Sequence, residues 1–341
     1  MYPESPKIQE VLSGASRVLI MQADNPDGDS MGSALALEQI IGDMGKEPLL
    51  YCGVDIPSYL TYLAGWDRVS KDVPQHFDVA IIVDTSAMSL FEQLEKSGQK
   101  GWVMAKPVIV LDHHPVENTL TFASIVCNKS VVATGELIYD IASQLHWPLN
   151  QTAKEMLATA IMSDSLGLVT EGTSARSIHS IAEMVEGGVS LAKLENNRRE
   201  MMRKSPELIK YKGELLQRIE YYDDTRIAVV SIPWREIEHY SPQYNPSMLV
   251  MDEMRSTIGT AIAIAFKYYS DGHMTAKIRA NYGYPIAGKL AEHFGGGGHP
   301  YASGFKLPAG KPFTDTKAEC ISVTTTLLHE LATAEHHKDP S

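Results

Sequence analysis

The chain has 341 residues, 44% of them hydrophobic, and a formal net charge of −12. That is enough apolar material for two globular domains, and an acidic surface argues against broad binding of duplex DNA, which needs a basic face. No apolar run reaches the roughly 18 residues that span a bilayer, so no membrane segment is expected and any nucleic acid should be short and held locally.

Residues 1–16 suggest a short helical lead-in; with Glu4 and Glu10 and no basic stretch it is unlike a secretory leader. An apolar strand over 18–21 runs into Ala23-Asp24-Asn25-Pro26-Asp27-Gly28-Asp29. A loop over 22–30 is expected, with Ser30 capping a helix over 31–42; backbone N–H groups at that helix start would favour a bound phosphate. Further strands are expected over 47–52, 79–85 (whose apolar run stops at Asp84), 108–112 and 122–127. The 108–112 strand runs into Asp112-His113-His114, and Pro115 then turns the chain. Helices over 89–97, 131–145 and 152–162 fill the gaps, the last ending at Ser163-Asp164-Ser165, and another follows over 178–185. Strands alternating with helices imply a mainly parallel sheet covered on both faces.

Gly187-Gly188 punctuates the chain. One or two helices over 191–219 then follow, broken near Ser205-Pro206 and carrying Arg198, Arg199, Arg203 and Lys204, as a solvated linker or an electrostatic lip for an anionic substrate. Strands are expected over 226–232, 260–268 and 273–279, the last two joined by a turn at Ser270-Asp271-Gly272. A helix over 285–294 leads to Gly295-Gly296-Gly297-Gly298-His299 and Tyr301-Ala302-Ser303-Gly304-Phe305. A last helix over 314–334 ends in a polar tail, expected to be disordered. Cys52, Cys127 and Cys320 fit no zinc spacing and suit reduced thiols in a cytoplasmic protein.

One apolar strand ending in Asp usually marks a turn. Several such carboxylates and two adjacent imidazoles at one sheet edge imply a cation, because buried carboxylates otherwise neutralise themselves by pKa shift. Carboxylate and imidazole together suit Mn²⁺; Mg²⁺, the other candidate, prefers nearly all-oxygen shells. Two such ions about 3.5–4 Å apart can generate hydroxide from a shared water and stabilise an in-line displacement at phosphorus. Glycines let backbone N–H groups approach a phosphate. Arg279 can grip one in bidentate fashion, His299 can donate to one, and Ser303 is a lesser candidate. Tyr282 and Tyr284 can stack on a base or simply pack.

Asn25-Pro26-Asp27-Gly28-Asp29 with Gly32-Ser33, then Asp84, Asp112-His113-His114 and Asp164, resemble the DHH phosphoesterases. Gly295 to His299 resembles the DHHA1 domain of the branch that includes the oligoribonuclease/pAp-phosphatase group and is related to RecJ exonucleases. The resemblance spans about residues 18–305. It implies an α/β protein of two domains: a mainly parallel-sheet DHH domain (1–188), a helical linker (189–222) and a smaller α/β DHHA1 domain (223–335). It further implies that Asp27 and Asp84 hold one divalent metal ion and Asp29, Asp84, His113 and Asp164 a second. Asp84, His113 and His114 are then the catalytic residues, with His114 facing the substrate phosphate and Asp112 anchoring an imidazole. Arg279, Gly296, Gly297, Gly298, His299 and Ser303 would hold the substrate's distal part.

One position departs from the pattern. The family's histidine three residues before the motif's proline is Ala23 here, and a methyl group cannot ligate. Asp24, Gln22 or water would have to substitute, or that metal site is weak. The expected activity is metal-dependent hydrolysis of short single-stranded oligoribonucleotides, of 3′-phosphoadenosine 5′-phosphate (pAp), or of both. The alternatives are a cyclic or linear dinucleotide phosphodiesterase and a nucleotide-binding sensor that has lost turnover. Assembly state stays open, with a homodimer the first candidate.

Overall fold

The computed structural model describes residues 2–336, and the expected polar tail lies outside the described residues. The chain divides into two compact units, Met1–Arg203 and Lys204–Ser341. Among the described residues no helix is long and apolar enough to cross a membrane.

The first unit runs α1 (Ser5–Ser13), β1 (Arg17–Gln22), α2 (Gly28–Asp43), β2 (Glu47–Cys52), β3 (Val79–Val83), α3 (Glu92–Lys96), α4 (Lys100–Met104), β4 (Val108–Asp112), β5 (Ile125–Asn128), α5 (Thr134–Gln144), α6 (Gln151–Asp164), α7 (Ala175–Glu186) and α8 (Leu191–Met201). Its five strands form one parallel sheet in the order β2-β1-β3-β4-β5. Both faces are covered. Val18 and Ile20 of β1 enter a core with Leu35, Ile40 and Leu157, while Leu19 and Met21 enter another with Phe91 and Leu94. A strand buried on both sides is a continuous apolar run rather than an alternation. The strand order reverses at β1, so the C-terminal ends of β1 and β3 flank the crevice where such sheets hold ligands.

The helix after β1 starts earlier than its sequence suggested. Asp27, not Ser30, is the N-cap of α2: Asp27 Oδ1 accepts the N–H groups of Asp29 and Ser30, and Ser30 Oγ accepts the Asp27 N–H. The two polar side chains satisfy each other's backbone donors, so either could stand as the cap by composition alone. Asp29 therefore lies in the first helical turn, not on a loop. Helix α2 packs closely on α6, where a Cβ at Gly32 would fall 2.8 Å from the Met156 carbonyl oxygen. That backbone approach brings the end of α6, with Asp164, beside the start of α2.

The second unit runs α9 (Pro206–Gln217), β6 (Glu220–Tyr222), β7 (Ile227–Pro233), α10 (Trp234–Tyr240), α11 (Met251–Ser256), β8 (Ile262–Tyr268), β9 (Met274–Ala280), α12 (Ala287–His293), β10 (Gly297–His299), β11 (Ala302–Leu307) and α13 (Phe313–His336). Its sheet has six strands in the order β10-β11-β9-β8-β7-β6, antiparallel except for β7 with β8. The sequence showed only β7, β8 and β9. β6 and β10 have three residues each, and β10 and β11 hold glycines where a strand would show apolar residues. One sheet face packs on α12 and α13 through Ile264, Ile278, Leu290 and Leu328. The other packs on α9 and α11 through Val230, Ala263, Leu208 and Met254. The stretch 191–219 is two helices. Leu191 and Leu194 of α8 lean on the first unit's core, and Leu208, Tyr211 and Leu215 of α9 enter the second's.

Candidate functional site

His113 follows directly on β4, and its imidazole is the centre of the first unit's polar cluster. Its Nδ1 is 3.2 Å from the Val131 carbonyl oxygen, which fixes the ring. Its Nε2 is buried and makes no hydrogen bond. Three carboxylate oxygens surround that nitrogen: Asp164 Oδ2 at 3.3 Å, Asp84 Oδ1 at 3.5 Å and Asp29 Oδ2 at 3.6 Å. Two ligand groups overlap here, Asp29 with His113 and Asp164, and Asp84 with His113 and His114.

Each carboxylate is held in place. Asp29 is buried and accepts the Thr134 and Gly135 N–H groups at 2.6 and 2.9 Å, so the start of α5 grips it, and Ser33 Oγ donates to it as well. Asp84 sits just past β3 with φ of 64°, an uncommon conformation for a non-glycine residue, and accepts from the Thr134 hydroxyl at 3.0 Å. Asp112 does not touch the His113 ring; it anchors His114. Its Oδ1 lies 2.8 Å from His114 Nδ1 and accepts the N–H groups of His113 and His114, and its Oδ2 accepts from Ser86 at 2.5 Å.

The charges conflict when left to themselves. Burial, with Asp164 beside it, raises the Asp29 carboxyl to about 6. Burial and the nearby Asp29, Asp27 and Asp164 push Asp84 well above the usual carboxylate range. Burial works against a charged His113, yet Asp164 and Asp29 outweigh it and lift its pKa to about 9. Burial likewise opposes ionised Asp112, and the contacts from His114 and Ser86 overcome it, so Asp112 lies below the usual range. An unpaired buried imidazole nitrogen facing three crowded carboxylates fits a divalent cation, which relieves the repulsion and supplies the missing partner. The ring's other nitrogen is already oriented by a carbonyl, the usual arrangement of a ligating histidine.

The other expected ligands stand differently. Asp27 spends Oδ1 on the helix cap and belongs to neither ligand group, though its charge is felt by Asp84. Asp24 is not brought to the cluster: its Oδ2 accepts the Gln93 N–H at 2.8 Å, and Oδ1 is buried without a partner beside Gly53. Ala23 is buried, and its carbonyl accepts from Cys52 Sγ. The sequence did not reveal Thr134, Gly135 or Ser86. The helix expected from 131 begins at Thr134, and amide donors at a helix start leave no side-chain signature.

In the second unit, register places His299, Ala302, Arg279 and Ala263 in one row across β10, β11, β9 and β8, on one face of the sheet. The two alanines flank the half-buried Arg279 in that row, and among the described residues its Nη1 donates to its own strand's Ile278 carbonyl. Gly297 and Gly298 pair with Gly304 and Ser303, so the glycine run is an edge strand and not a free loop. A Cβ at Gly296 would fall 2.3 Å from the Gly304 carbonyl oxygen. Ser303 Oγ is committed to the Ala287 carbonyl at 2.6 Å. Lys277 shares the Arg279 face two residues away, and Lys267 lies beyond it. Burial and then the neighbouring cation lower each: Lys267 to about 8 beside Lys277, Lys277 beside Arg279, and Arg279 beside Arg255. The Lys277 and Arg279 spacing on a strand was a visible signal for this shared face.

Residues 17–172 match the DHH family, N-terminal domain. Over 308 residues the chain is 22% identical to a bifunctional oligoribonuclease and PAP phosphatase NrnA of Mycoplasma pneumoniae, covering 89% of this chain and 91% of that one. It is 22% identical to the Bacillus subtilis protein of the same name, covering 85% and 89%, and 24% identical to that of Thermus thermophilus, covering 83% and 82%. Among solved structures, an exopolyphosphatase-related protein from Bacteroides fragilis is similar in fold at a TM-score of 0.81 and 19% identity, covering 95% of this chain and 97% of that one.

Proposed function

We propose that the chain, whose residues 17–172 match the DHH family, N-terminal domain, is a metal-dependent phosphoesterase acting on short oligoribonucleotides and on pAp. The observation that carries this reading is the buried, unpartnered His113 Nε2 within 3.6 Å of carboxylate oxygens from Asp29, Asp84 and Asp164. The similar proteins are oligoribonucleases and PAP phosphatases, most of whose length the chain spans, which supports the choice of substrate. The three free cysteines are buried and suit a reducing cytoplasm.

Asp29, Asp84, His113 and Asp164 hold the metal, with Asp27 contributing from the cap of α2. Mn²⁺ suits the mixed nitrogen and oxygen donors. Divalent cations held there supply the positive charge that a phosphate dianion and an activated water require. Asp84 is the residue most exposed to the loss of its neighbours' balance, since three other carboxylates act on it. His114 is partly exposed and its Nδ1 is held by Asp112. Its free Nε2 then faces the substrate as a proton donor to a phosphate or leaving-group oxygen. Arg279 and His299 bind a phosphate of the substrate in the second domain, which we take as 223–335 after a helical segment over 189–222.

The test is direct. The protein is incubated with Mn²⁺ and, separately, pAp, the dinucleotide pApA and cyclic di-AMP, and AMP release is followed. AMP from pAp and pApA is expected. The sensor reading draws on one observation, that Ala23 cannot ligate and Asp24 is tied to Gln93. Binding of a nucleotide without cleavage of any of the three decides for the sensor.

A further inference from the structure

Among the described residues, three ring pairs of the second unit lie within 16° of parallel, and one of them is wider than the other two. Tyr211 and Tyr240 stack at 3.7 Å between centroids, and Tyr269 and His273 at 3.9 Å. Tyr282 and Tyr301 are also nearly parallel, at 16°, but their centroids are 6.2 Å apart. The first two pairs are closed contacts. The third is wider, centre to centre. Successive stacked bases repeat at about 3.4 Å, so a ring held between two others needs a spacing of about 7 Å. The centres of the two tyrosine rings lie within about 1 Å of that spacing.

Both tyrosines sit on short turns pinned to the sheet. Tyr282 lies in the turn Asn281 to Tyr284, closed by the Tyr284 N–H on the Asn281 carbonyl, with Gly283 at φ +87° as such a turn requires. Asn281 itself is fixed by Arg255 and by the carbonyls of Arg255 and Thr260. Tyr301 is in the two-residue connection between β10 and β11. Its carbonyl accepts the Ala280 N–H, and the Pro300 carbonyl accepts the Ala287 N–H. The backbones are therefore held while the rings stay open, Tyr282 80% and Tyr301 37% exposed. A ring pair kept for packing would be buried and in contact, as Tyr211 is with Tyr240. The turns adjoin the row that carries Arg279 and His299, at Ala280 and Ala302 respectively.

We propose that Tyr282 and Tyr301 form a nucleobase clamp: one base of the substrate inserts between the two rings while its phosphate meets Arg279 and His299. This rests on the nucleotide substrate proposed above and adds the residues that recognise the base. Stacking accepts any base, so the clamp selects for a nucleoside over a bare phosphate and not for a base sequence.

The experiment is equilibrium binding by calorimetry to the full-length protein, using pAp and its base-free analogue, ribose 3,5-bisphosphate. Tyr282→Ala is expected to weaken pAp binding about tenfold and to leave the analogue unchanged. Tyr282→Phe should bind both as the wild type does, because the ring face and not the hydroxyl is used. Tyr301→Ala should repeat the Tyr282→Ala pattern. Wild-type affinity for pAp in both alanine variants overturns the clamp, as does an equal loss for the base-free analogue. Hydrolysis of pAp that is indifferent to both tyrosines sinks the clamp alone. Tyrosine-dependent binding without hydrolysis sustains the clamp and sinks the phosphoesterase reading. No nucleotide binding at all removes both.

Discussion

His113 shows why the cluster needs a partner. Its buried Nε2 makes no hydrogen bond and faces carboxylates that repel one another. The raised pKa of Asp29 sets a sign. Its folded value of about 6 exceeds its ordinary 3.8. Without metal its contribution to stability is therefore full below about pH 4 and is lost as pH rises through about 6. A cation competes with those protons, so it gains advantage as they leave. The rise in melting temperature caused by Mn²⁺ should be small at pH 5 and large at pH 8; equal shifts at both would contradict the placement. Asp84→Ala should lower kcat by more than roughly 100-fold, because Asp84 lies beside His113 Nε2 and feels the charges of Asp29, Asp27 and Asp164; near-normal turnover would remove it from the centre. The acidic strand ends were legible because a strand buried on both faces shows where it stops. Thr134 and Gly135 were not, since their grip on Asp29 comes through backbone amides.

Helix α2 carries two constraints that a reader of the sequence can weigh separately. The Asp27 and Ser30 capping box is visible as a pair of polar residues three apart, but its direction is not, which is why the helix start was placed three residues late. The close approach at Gly32 is visible only as a glycine in a helical pattern. A larger side chain there meets the Met156 carbonyl and drives α6, with Asp164, away from Asp29. Gly32→Val should therefore destabilise the protein by about 1–3 kcal/mol in denaturant unfolding and weaken Mn²⁺ binding in the same variant. Wild-type metal affinity with lowered stability would mean that α6 adjusts without moving the ligand. The missed strands β10 and β11 have the same cause as the missed amides. They are defined by pairing with β9, and their glycines carry no apolar alternation.

Across the molecule, charge is unevenly used. The chain is acidic at −12, yet one face of the second sheet gathers Lys267, Lys277 and Arg279, each lowered by burial and by its neighbour. On the proposed reading such a row would hold a small polyanion without giving the protein a basic surface for duplex nucleic acid. Arg279→Ala should raise KM for pAp more than it lowers kcat, if its grip is equal in the ground and transition states; a pure kcat loss would assign it to the chemistry instead. The two-domain α/β plan was legible from strand and helix alternation over the first half. The second half's plan was only partly so, because its shorter strands depend on their partners. The central claim is that Asp29, Asp84, His113 and Asp164 hold divalent ions that hydrolysis requires. It is tested by dialysing chelator-stripped protein against Mn²⁺, counting bound metal by mass spectrometry, and assaying pAp in the same sample. Wild type should retain about two equivalents per chain and release AMP, and His113→Ala should lose both; wild-type protein that retains no metal, or that cleaves pAp equally well in chelator, would contradict it.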